Sequence, residues 1–131
     1  MSSVSLGLSI ALTFSACSPI RTKEQESTCR ELDTYIQEIS DLQNATASGM
    51  SDGSTRRAGA GLILAKLDEM QSAVTTNDSK LQPLISEWIE KQTTIASEYR
   101  KFSILDLDNQ LLDKTISEFK QVNSELGNFC S

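Results

Sequence analysis

Three cysteines and no histidine define the chemistry open to this 131-residue chain. Thiols cross-link, accept acyl groups, bind soft metals, or attack carbonyls as thiolates. The last two uses are disfavoured. A cysteine nucleophile needs an activating partner such as histidine, and the same residue is the commonest ligand of transition metals. Cys17, Cys29 and Cys130 are left with cross-linking or modification.

The remaining candidates have plainer readings. Asp106 with Asp108, or Asp68 with Glu69, invites a metal or an acid-base pair. Neither pair has a further ligand at useful spacing, the calcium-loop pattern is missing, and the Glu-x-x-His pairs of di-iron bundles need a residue type absent from the chain. These carboxylates read as helix caps and solvated faces. No catalytic residue, metal or cofactor is expected. The stretch "RRAGAG", residues 56–61, has the glycines of a phosphate loop without its lysine-serine ending or a preceding strand. It reads as the flexible start of a helix carrying two exposed arginines, Arg56 and Arg57. Gln92 reads as a rim residue whose amide reaches solvent, and Trp88 as a core or bundle-end residue.

Twelve basic against eighteen acidic residues give a formal charge of -6. The summed field repels phosphate backbones, so no nucleic-acid partner is expected.

Residues 4–16 carry no charge, and the run stops at Cys17, followed by Ser18, Pro19 and Arg21. It is too short to span a bilayer, which takes about 20 apolar residues, and it has the length of a secretory h-region. Ser15 and Ala16 before Cys17 resemble the lipobox of bacterial lipoprotein precursors, with Phe14 standing where that class usually carries an aliphatic residue. The resemblance covers the N-terminal segment alone. It implies a signal peptide over residues 1–16, cleavage before Cys17, and acylation of the Cys17 thiol. The rival readings are an ordinary cleaved signal, for which bulky Phe14 is badly placed, and a buried N-terminal helix.

If Cys17 is acylated, Cys29 and Cys130 remain, and two thiols in an exported chain read as one disulfide. The alternative is a pair of buried, reduced cysteines.

These thiols must be positioned by helices. Aromatic residues make up 5% of the chain and there are only two prolines, which favours helix over sheet. Residues 17–27 form the lipidated cysteine and a flexible tether; residues 28–131 form one domain. Within it, residues 28–47 carry Leu32, Tyr35, Ile36, Ile39 and Leu42 at helical spacing, with Thr28 and Glu31 matching a capping box. Residues 54–76 carry Ile63, Leu67, Met70 and Val74, with Gly59 and Gly61 weakening the start. Residues 79–102 carry Leu81, Ile85, Trp88, Ile95, Tyr99 and Phe102, with Gln92 the sole polar member. Residues 106–126 carry Leu111, Leu112, Ile116, Phe119, Val122 and Leu126, with Asp106 or Asp108 as cap and Gly127 as stop. Short polar connections force antiparallel neighbours. The expected fold is all-α: an antiparallel, up-down-up-down four-helix bundle closed by a Cys29–Cys130 disulfide at one end.

The expected role is that of a non-enzymatic lipoprotein. It is held by acyl chains at the extracytoplasmic face of a bacterial membrane and acts on a protein or envelope component. The alternative is a binding module for a small apolar molecule held between helices, favoured if Trp88, Tyr99, Phe102 and Phe119 line one cavity.

Overall fold

Heptad-like spacing of apolar residues dictates what the computed structural model of the protein contains; it describes residues 22–131. Cys17 and the expected signal segment lie outside the described residues. The helices are α1 (Lys23–Ala47), α2 (Gly53–Ala73), α3 (Leu81–Tyr99) and α4 (Asn109–Cys130), with no strand among the described residues. Each packs on its neighbour in sequence and α4 returns beside α1, giving the up-down-up-down bundle. None of these helices is long and apolar enough to cross a membrane.

Buried residues recur every three or four positions on every helix, so each buries one stripe. On α1 the stripe is Cys29, Leu32, Ile36, Ile39, Gln43 and Thr46. On α2 it is Arg56, Ala60, Ile63, Leu67 and Met70, continued by the cap residue Val74. On α3 it includes Leu81, Ile85, Trp88, Gln92, Ile95 and Tyr99, and on α4 Leu112, Thr115, Phe119, Val122, Leu126 and Cys130. Trp88 meets Phe119 edge to face, with centroids 5.5 Å apart, and its indole N–H donates to Asn123 Oδ1 at 3.0 Å.

Helix ends differ from the sequence expectation at the start of α1, the end of α3 and the end of α4, whereas the α4 cap is one of the two expected. α1 starts at Lys23, so residues 23–27 of the expected tether are helical. The capping box forms at Thr22 and Gln25, not at Thr28 and Glu31: Gln25 N–H donates to Thr22 Oγ1 at 3.1 Å, and Thr22 N–H to Gln25 Oε1 at 2.8 Å. The upstream box is held because the α2–α3 connection reaches it, Thr76 donating to Glu24 and Gln25 to Asp78. α3 stops at Tyr99, and Phe102, expected on its apolar stripe, is 81% exposed. α4 is capped by Asp108, whose Oδ1 accepts Leu111 N–H at 3.0 Å. Gly127 does not stop α4. The helix runs on to Cys130, whose burial and disulfide extend the packed surface past the glycine.

Cys29 and Cys130 are joined, with Cα atoms 5.7 Å apart across 101 residues of sequence. For a loop of that order the chain-entropy model gives about 4.7 kcal/mol, reduced by residual structure in the unfolded chain.

α2 runs unbroken through Gly59 and Gly61, and the two glycines do different things. A Cβ on Gly59 would overlap the buried Thr46 side chain, 2.7 Å from its Cγ2 and 2.8 Å from its Cβ, whereas nothing lies within 4 Å of a Cβ on Gly61. Gly59→Ala should therefore cost roughly 1–3 kcal/mol through overpacking. Gly61→Ala should stabilise the protein by up to about 1 kcal/mol through helix propensity. Thermal denaturation of the two variants beside the parent checks both signs.

Candidate functional site

Polar groups inside an apolar bundle must be partnered, and the bundle holds several. At the pole opposite the disulfide, Arg56 falls on the buried stripe of α2 and is 2% exposed. It was expected to be exposed. Its guanidinium instead spans to the end of α3, Nε donating to Tyr99 O at 3.1 Å and Nη2 to Lys101 O at 2.8 Å and Phe102 O at 3.1 Å. α3 has no basic residue in its last turn, so Arg56 supplies from a neighbouring helix the cation that the terminal carbonyls favour. Arg57 adds a bond to Phe102 O at 2.9 Å and lies over the Phe102 ring at 4.6 Å.

The same connection is fixed from its other side. Glu98, nearly buried, accepts Asp108 N–H at 2.8 Å and pairs with Lys101 at 2.7 Å. Ser103 caps a 3-10 turn, Ile104–Asp106. The two bends of the α3–α4 connection are thus pinned by side chains from α2 and α3. The large side chains of Phe102 and Leu105 nevertheless remain in solvent, at 81% and 90% exposure.

Gln92 is also corrected. It is 2% exposed and accepts a bond from Gln43 Nε2 at 2.8 Å, linking α3 to α1 through the interior. Gln43 Oε1 has no hydrogen-bond partner among the described residues. Tyr99 is fully buried, and burial, aided by the charge of Asp113, pushes its phenol up to about 12.

Trp88, Tyr99 and Phe119 are packed in the core while Phe102 is exposed, so these four do not line one cavity. Asp108 is the α4 cap and Asp106 an exposed member of the 3-10 turn; Glu69 pairs with Lys66 at 3.1 Å on the surface. Among the described residues no group of three or more cysteine or carboxylate side chains is placed to hold a metal ion. No family model matches the chain, and neither a curated relative nor a similar solved structure was found.

Sequence reasoning missed Arg56 and Gln43. A signal existed for both: Arg56 precedes Ala60, Ile63 and Leu67 by the intervals that mark the core, and Gln43 continues the series Leu32, Ile36 and Ile39.

The glutamine pair generates a mutational test. Gln92→Leu strands the Gln43 amide in the interior and should cost roughly 1–3 kcal/mol. The double variant Gln43→Leu with Gln92→Leu should recover most of that loss, because no polar group is then left unpaired. Urea midpoints of the parent, both single variants and the double variant measure the coupling.

At the disulfide pole Asp78 is held below its ordinary value of 3.8, chiefly by the Gln25 side-chain bond and then by the backbone N–H groups of Leu81 and Lys80. A folded pKa below the unfolded one gives stability that is present above that ordinary value and lost as pH falls through the depressed one. Asp78→Asn should lower stability at neutral pH and flatten the loss that sets in as pH falls below the ordinary carboxylate value. Urea unfolding as a function of pH checks the sign.

Proposed function

We propose that the protein is a non-enzymatic lipoprotein, anchored at the extracytoplasmic face of a bacterial membrane, that acts through the surface of its bundle on a protein or envelope component. One observation carries this reading. Cys29 and Cys130 are consumed by a bond with each other, so of three cysteines only Cys17, at the end of an uncharged apolar run, is left for acylation. Disulfides persist where the environment is oxidising, which fits a chain that leaves the cytoplasm.

Anchoring by acyl chains also suits the charge. A domain of -6 is repelled by anionic headgroups, and lipid chains supply the attraction that the protein surface lacks. Each buried methylene contributes about 0.8 kcal/mol, and two or more chains hold firmly where one exchanges. α1 begins only six residues after Cys17, so this reading puts the disulfide pole toward the membrane and the pole of Arg56 and Phe102 away from it.

Intact mass of protein extracted from membranes tests the reading in one measurement. The expected mass corresponds to a chain starting at Cys17, carrying acyl groups and lacking two hydrogens for the disulfide. Cys17→Ser should move the protein out of the membrane fraction. An unmodified full-length chain in the membrane extract would overturn the proposal.

A further inference from the structure

The pole that carries Arg56 combines two apolar features that a monomer leaves in water. The first is a knob. Phe102 and Leu105 stand out from the α3–α4 connection, with Ile104 beside them at 41% exposure. Arg56 and Glu98 hold the backbone at the two ends of this connection while its large apolar side chains stand away from the core. Fixing such residues in advance removes the ordering cost that a contact would otherwise incur.

The second is a groove between the end of α1 and the start of α2. It has a volume of about 350 Å³ and is lined by Leu42, Ala45, Thr55, Ala58 and Leu62 among others. No charged residue occurs from position 58 to 65, and Ala58, Leu62 and Ala65 are all exposed. A helix that is apolar on every side belongs in an interior, so this half of α2 lacks a cover.

Knob and groove flank the same turns of α2. Arg57 reaches Phe102 on one side, while Ala58 and Leu62 line the groove on the other. Two copies related by a two-fold axis near the start of α2 can each place a knob in the groove of the other, which is the reciprocity of an isologous contact. The charges match this pairing. Arg100 precedes the knob, and Asp52 stands at the end of the groove, where Thr55 donates to its Oδ2 at 2.9 Å. Hydrogen bonds from Thr55 and from the Ser54 backbone hold the Asp52 carboxyl below its ordinary value, keeping it charged.

We propose that the protein forms a two-fold dimer in which Phe102 and Leu105 of each copy occupy the α1–α2 groove of the other. An aromatic side chain buries roughly 150–250 Å². With Leu105, the facing groove walls and the symmetric contact, the total is on the order of 1,200 Å², at the lower edge of stable interfaces, so the dimer is a reversible one. The repulsion between two bodies of -6 is screened beyond about 8 Å at physiological ionic strength. The inference rests on the described fold and is independent of the lipid anchor.

Sedimentation equilibrium of the full chain in density-matched detergent, through a concentration series into the millimolar range, gives the first test. The parent should dimerise reversibly. A knob variant, Phe102→Ser with Leu105→Ser, and a groove variant, Ala58→Glu with Leu62→Glu, should each weaken the dimer by about thirtyfold or more. All four positions are exposed, and circular dichroism should show unchanged helix content. The decisive sample is the mixture. The knob variant keeps its groove and the groove variant keeps its knob, so native mass spectrometry with one partner isotope-labelled should find a heterodimer at concentrations where neither variant pairs with itself. A parent that stays monomeric throughout, a dimer indifferent to both variants, or a mixture without heterodimer would each overturn the proposal. Anchor and detergent are common to every sample, so failure of the lipoprotein reading would not imitate any of these results.

Discussion

A single covalent bond closes the ring of helices where packing does least. α1 meets α2, α2 meets α3 and α3 meets α4 along extended seams, whereas α1 and α4 touch sparsely. The Cys29–Cys130 bond lies in that thin seam. The three well-packed seams join helices that short connections already force together, so they need no help in finding each other. The fourth joins the two helices most distant in sequence, where the entropy of closure is greatest, and there the sulfur bridge does the closing.

The opposite pole is organised by charge. Arg56 has the burial of a core residue and a charge that an apolar core would reject. It is tolerated because three carbonyl oxygens, of Tyr99 at the end of α3 and of Lys101 and Phe102 just beyond it, accept its N–H groups. Between the poles, Gln43 and Gln92 join α1 to α3. A slip of either helix by one turn would part the two amides, so the pair penalises the registers that apolar packing alone would permit.

The sequence made some levels of this structure legible and hid others. Four helices, their order and the pairing of Cys29 with Cys130 followed from apolar spacing and thiol parity, because burying a stripe and closing a loop are constraints written in residue type. The ends were harder. Thr22-x-x-Gln25 and Thr28-x-x-Glu31 are equally good local caps, and the choice between them is made by Thr76 and Asp78, residues remote in sequence. Phe102 looked like the next member of the α3 stripe, yet α3 ends three residues earlier, and Arg56 takes the carbonyls of Tyr99, Lys101 and Phe102 there. Gln92 looked like a rim residue for want of a visible partner. That partner sits 49 residues away on another helix.

One consequence of the bridge concerns force. Whatever is attached before Cys29 and whatever follows Cys130 are connected through two sulfur atoms at one pole of the molecule. A pull between those attachments runs across the bridge and strains only the opening residues of α1, leaving the other helices outside the path of tension. Tension applied between the two ends of the domain would thus bypass α2, α3 and α4 for as long as the bridge stays oxidised.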